Sequence, residues 1–162
     1  MTDFAFTELV DMADVQSGAL GANSSGKFAD IDRGKSVKKA SANNFVLCAG
    51  TDEIEGFVVA VAPHTVNQGF SFGSVQVKSR KLAVVGASQG ATPMAFGDLV
   101  VSDTQAALGT GLTGTGTGVN AESLGKPPVR TGAPTKFKWR VIRIVTGTGV
   151  AGDTVLLESL NS

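Results

Sequence analysis

From Gly34 onward, apolar and polar residues alternate in short runs broken by glycine, asparagine, aspartate and proline. Ser36–Lys39 is followed by the turn-rich Ala42-Asn43-Asn44, and Phe45–Cys48 stops at Ala49-Gly50-Thr51-Asp52. Glu55–Val61 runs into Pro63, whose missing amide hydrogen ends a central strand. Phe70–Val77, Lys81–Val85 and Leu99–Ser102 continue the extended pattern. The two longest candidates, Phe137–Val145 and Asp153–Leu160, are joined by Thr146–Gly152. β-branched enrichment and a spacing of about ten residues predict an all-β fold, a small β-barrel or sandwich of short antiparallel strands.

One of these strands changes phase. Phe137, Trp139 and Val141 share one face and Lys138 and Arg140 the other, yet Ile142 and Ile144 then fall on the charged side and Arg143 on the apolar one. A period of two cannot shift this way without a bulge, or without cover on both faces past Val141. Either case suits a barrel corner or an oligomer contact.

Residues 1–33 read differently. Phe6, Leu9, Val10 and Ala13 have the i, i+3, i+4, i+7 spacing of one helical face, and Asp3, Glu8, Asp11 and Asp14 are unaccompanied by any base. So short a helix is marginal in water unless it docks on something. Ser17–Gly26 then supplies a small-residue tether. The expectation is an extended N-terminal arm, residues 1–33, attached to a β-barrel-like domain, residues 34–162; the alternative is a frayed or self-docked terminus. Within that domain 109–135 is a Gly/Thr-rich stretch too long for an ordinary connection, and such loops are usually functional or disordered.

Composition narrows the function classes. The 162 residues carry 14 Lys+Arg against 14 Asp+Glu, so this is not a globally basic protein that coats nucleic acid by charge alone. A single cysteine, Cys48, excludes an intrachain disulfide, and one histidine, His64, excludes a multi-histidine metal site within one chain. The amino terminus lacks the basic region of a secretory signal, and no apolar run reaches the roughly 18 residues of a membrane span. A protein made in a cytoplasm, with no membrane partner, is expected.

Motifs that resemble catalytic ones lack their context. Gly69-Phe-Ser71-Phe-Gly73 matches G-x-S-x-G, but strand rather than helix follows it, and His64 precedes the serine. Gly109-x-Gly111-x-x-Gly114 matches a dinucleotide fingerprint, yet Thr-Gly repeats follow where a helix must start. Asp52, Glu53 and Glu55 lack calcium-loop spacing and read as a solvated turn, and Cys48 reads as a buried small hydrophobe. No enzyme activity, cofactor or metal is expected.

Charge distribution says more. Lys126, Arg130, Lys136, Lys138, Arg140 and Arg143 put six bases into 18 residues without one acid. They form either a solvated strand face or a surface for an acidic partner. Phe137 and Trp139 alternate onto the core face, which argues against stacking on nucleic-acid bases. Candidate partner-binding residues are therefore Phe4, Phe6, Leu9 and Val10 as apolar anchors of the arm, and Arg130, Lys136, Lys138 and Arg140 as the basic surface. An acidic arm and a basic carboxyl-terminal region would suit subunits that clasp one another.

Gly34–Ala40, Phe45–Val61, Gly69–Val77 and the later Phe96-Gly-Asp-Leu-Val-Val-Ser102 resemble the head-decoration, or capsid cement, proteins of tailed bacteriophages. The resemblance covers residues 34–108, and loosely 137–160. It implies a non-enzymatic, barrel-like virion protein on the capsid exterior, synthesised in the bacterial host cytoplasm. It would bridge neighbouring major capsid proteins, and it would self-associate as a homotrimer or, alternatively, a dimer. The arm and the 109–135 loop depart from the shorter members. The competing expectation is a carbohydrate- or receptor-binding β-domain of a phage fibre or tail, for which one Trp and no Tyr is a thin aromatic supply.

Overall fold

Among the described residues ten short strands carry the architecture: β1 (Val15–Leu20), β2 (Ser36–Ser41), β3 (Asn44–Leu47), β4 (Gly56–Val61), β5 (Ser71–Gln76), β6 (Arg80–Val85), β7 (Leu99–Ser102), β8 (Glu122–Gly125), β9 (Trp139–Ile144) and β10 (Thr154–Ser159). The structure is a computed structural model and describes residues 15–21, 27–62, 71–86, 93–105, 107–109, 122–125 and 136–161. The strands close into two five-stranded rings. The first runs β1-β3-β2-β4-β5 and returns to β1; the second runs β10-β6-β8-β7-β9 and returns to β10. The all-β reading holds, and closure explains how strands this short avoid unpaired edges.

Two features depart from expectation. Residues 15–20, read as part of an arm, form β1 and pair along their whole length with β5, from Val15 opposite Gln76 to Leu20 opposite Ser71. Residues 122–125, read as part of a long loop, form β8 between β6 and β7. Each missed strand also makes a parallel pairing, β1 with β3 and β6 with β8, where a wholly antiparallel arrangement was expected. In β1 the small residues that suggest a tether serve close packing. A Cβ on Gly18 would stand 3.1 Å from Asn43 Oδ1 and 3.3 Å from the Phe45 ring. Phe28 of the supposed arm is buried in the first core with Leu20, Val37, Phe45, Val58 and Val75. The helical expectation for Phe6–Ala13 lies outside the described residues.

The phase change in β9 is a bulge. Val141 pairs with Leu157 and Arg143 with Leu156, so Ile142 is the extra residue. Trp139 and Val141 point into the core, Arg143 is exposed, and Ile144 packs back against that core. The bulge thus restores the apolar side to the interior.

The rings share a core. Ile54 and Phe57 belong to the first ring and its preceding turn, yet they pack with Ala83, Val85, Val100, Trp139, Val141, Val155 and Leu157 of the second. The Phe57 and Trp139 rings meet edge-to-face at 5.0 Å and 84°. The Trp139 indole N–H donates to Ile54 O at 3.2 Å, so the one polar atom of the largest buried side chain is bonded across the seam. Nearby, Thr51 N donates to Ser102 O and Ser102 N to Asp52 O.

A strap made of residues 103–105 and 107–109 reinforces the seam. After β7, the Gln105 amide accepts from Ser36 N and donates to Ser36 O and Cys48 O, standing in for a strand beside β2. Lys35 Nζ donates to Ala107 O and lies 2.8 Å from Asp32, both side chains fully buried. The Asp32 carboxylate also accepts from Ala29 N and Gly109 N. Burying two charges is costly unless their remaining hydrogen-bonding capacity is used, and here backbone groups from both rings use it.

The shared core predicts joint unfolding. Phe57→Ala should cost about 3–5 kcal/mol, as large-to-small changes of buried aromatics do. Denaturant titration followed by Trp139 fluorescence and far-UV circular dichroism should give one coincident transition. Two separate transitions would contradict the shared core.

Candidate functional site: the outward face of strand β9

Strand β9 carries the basic residues, and the preceding chain fixes where it starts. The Glu53 carboxylate accepts from Lys136 N and Phe137 N, both at 3.1 Å. Lys138 N donates to Asn161 Oδ1, and Leu160 N returns to Lys138 O. With Trp139 and Val141 directed inward, alternation turns Lys138 and Arg140 outward. Arg140 pairs with Glu158, its register partner on β10, at 2.8 Å. Both side chains are partly solvated, so the pair contributes at most about 1 kcal/mol and chiefly orients the guanidinium. Leu99 of β7 stands opposite Arg140 on the other side.

Three of the sequence-predicted partner residues, Lys136, Lys138 and Arg140, therefore share one strand region. Lys136 is exposed, while Lys138 and Arg140 are half-buried. Phe4, Phe6, Leu9, Val10 and Arg130 lie outside the described residues, as does His64.

The face is flanked by the Ala95–Asp98 turn, whose phenylalanine the sequence reading did not single out as a site residue. Phe96 is 74% exposed at the tip of Ala95–Asp98. The turn is firmly built: the Asp98 carboxylate accepts from Ala95 N at 2.8 Å, and Gly97 has φ +87°, a backbone that glycine adopts without strain. Gly97 N donates to Val141 O and Val141 N to Asp98 O, which docks the turn on β9. Met94 N donates to Gly149 O, tying the same turn to the β9–β10 connection. The Ala-Phe-Gly-Asp signal announces a turn, but nothing in it says that the phenylalanine points to solvent.

The β9–β10 connection is organised by one carboxylate. Asp153 Oδ2 accepts from Thr148 N, Gly149 N and Val150 N at 2.8, 2.9 and 3.0 Å. Gly147 (φ +65°) leaves room for that carboxylate, which a Cβ there would strike. The hydrogen bonds, led by Thr148, hold the Asp153 carboxyl below its ordinary range against a smaller opposing effect of burial.

Residues that imitate catalytic or metal-binding groups have structural partners. Ser71 Oγ donates to Phe28 O at 2.6 Å and is buried, so the G-x-S-x-G serine anchors Phe28. Gly109 N is bound by Asp32. The Asp52, Glu53 and Glu55 cluster is not a solvated turn. Asp52 caps Ala49 N and pairs with Lys38, Glu53 holds the start of β9, and Glu55 binds Lys39 through its backbone N–H and its ammonium. Those carboxylates are spent on turn and seam. Among the described residues no cluster of three or more His, Cys, Asp or Glu could hold a metal ion. Cys48 is buried, and burial, reinforced by the Asp52 charge, pushes its thiol well above the usual range.

Two outcomes follow. The lowered Asp153 carboxyl contributes stability that is present above its unfolded value, near 3.8, and is lost as pH falls through the folded value. Thermal melts should therefore show acid destabilisation that is reduced in Asp153→Asn, a variant with a lower melting temperature at neutral pH. The Cys48 thiol should resist an aromatic disulfide reagent at neutral pH in the native protein, and react promptly in denaturant. No family model, curated protein or solved structure matches this chain.

Proposed function

We propose that this chain is a structural, non-catalytic protein that decorates the outer surface of a bacteriophage head, binding the major capsid protein and bridging neighbouring copies of it. The observation that carries the reading is the resemblance over residues 34–108, whose quoted segments coincide with β2, β3, β4, β5 and β7. A resemblance confined to loops would say little about fold. One that follows the strands in order says more.

The architecture is compatible with that role. Ile54 and Phe57 pack the first ring against the core of the second, so a shell could be joined by a folded body with little further ordering. Weak contacts repeated over many positions then give avidity without a large interface per copy. Homo-oligomerisation, as a trimer or a dimer, belongs to the same reading, and so does a location on the capsid exterior.

The direct test adds purified chain to capsids assembled from the major capsid protein alone. Saturable binding and a rise in capsid disruption temperature are expected; no binding at any concentration would sink the reading. A deletion that probes the arm should remove residues 1–14 and stop there, because Val15 and Gln16 pair with Gln76 and Val75 inside the first ring. That deletion should reduce capsid occupancy and leave the melting temperature unchanged, whereas a longer one should also unfold the ring.

A further inference from the structure

We propose that the outward face of β9, with Phe96 at its border, is the seat for residues 3–14 of a second copy of this chain. The proposal rests on the reading above only in supposing that copies associate; it does not require a capsid.

The face has a definite chemistry. Lys138 and Arg140 alternate outward, and Arg143 is exposed beyond the bulge. Apolar groups lie around these bases. Leu160, 44% exposed, follows the outward-facing Glu158, and its backbone N–H is bonded to Lys138 O. Leu99 stands half-buried opposite Arg140. Phe96, the most exposed of the large apolar side chains described, rises from the turn bonded to Val141. Glu158 is the acid paired with Arg140. A ligand that suits this face must be acidic and must carry apolar side chains spaced along an extended or helical segment.

The chain contains such a segment. Residues 3–14 hold Asp3, Glu8, Asp11 and Asp14 with no base, interleaved with Phe4, Phe6, Leu9 and Val10. Its four acids are opposite in sign to Lys138, Arg140 and Arg143 of the β9 face. Exchange of such an element between copies needs no contact that a single copy could not also make, which is why segment exchange is a low-cost route to closed oligomers. Position favours reach. Residue 14 joins β1 at Val15, opposite Gln76, and the Gln76 amide donates to Arg80 O. Arg80 is the register partner of Glu158, which pairs with Arg140. Twelve extended residues span roughly 40 Å at about 3.3–3.6 Å each, well beyond the length of the six-residue β9. Phe96 presents a pre-formed aromatic anchor, since its turn is already fixed by Asp98, Gly97 and β9.

The test uses the full chain. Light scattering over a range of concentrations and at two salt strengths should show self-association that weakens with salt. Phe96→Ser, Lys138→Glu and the double variant Phe4→Ser/Phe6→Ser should each weaken it about tenfold or more, with melting temperatures unchanged. Mixing the Phe96→Ser chain with the Phe4→Ser/Phe6→Ser chain should restore part of the association, because each supplies the half the other lacks. A full chain that stays at the mass of one subunit throughout overturns the proposal, as does association indifferent to all three variants or no recovery on mixing. Capsid addition separates the two readings. Variants that no longer self-associate but still bind capsids leave decoration standing, and intact exchange without capsid binding leaves this proposal standing alone.

Discussion

The seam between the rings depends on Phe57 and Ile54 entering the second core beneath Trp139. The first ring keeps a core of its own around Leu20, Phe45 and Val75, but a body of this size buries only a limited share of its surface. Sharing aromatic and branched side chains between two rings relieves that limit. The indole N–H bond to Ile54 O then sets the alignment, because a buried donor left unbonded would cost about 1–3 kcal/mol. The bonds of Thr51 and Ser102, and the Gln105 and Lys35 contacts of the strap, follow from the same alignment.

That arrangement explains where the acidic residues went. Asp32, Asp52, Glu53, Glu55, Asp98 and Asp153 each accept hydrogen bonds from backbone N–H groups at turns, at the strap or at the start of a strand. Short strands joined by tight connections leave many backbone donors outside the ladders, and carboxylates satisfy them well. Around β9 the bases face outward instead, with Arg140 paired to Glu158.

Much of the framework was legible residue by residue. The strands from Ser36 to Ser102 and the two after Phe137 appear close to where alternation and turn residues put them, and the misphased Ile142-Arg143-Ile144 is a bulge. Val15–Leu20 was illegible because glycine and serine in a strand look like a linker until the close neighbour that demands them is known, here Asn43 and Phe45 against Gly18. Glu122–Gly125 was illegible because four residues inside a Gly/Thr-rich stretch carry no periodic signal. Lys136, Lys138 and Arg140 were grouped correctly by their spacing, whereas Phe96 was overlooked, because a turn sequence does not reveal which side chain it exposes.

By itself the sequence determined the fold class, the position of most strands, the phase change in β9 and the separation of an acidic segment from a basic one. These are properties of neighbours along the chain, and alternation, glycine and proline report them directly. Only the tertiary structure decided that there are two rings rather than one, that β1 and β8 close them through parallel pairings, and that Phe57 serves the core of the other ring. Those facts depend on contacts between residues far apart in sequence, whose energy comes from shared burial, and burial has no signature in any single stretch of residues.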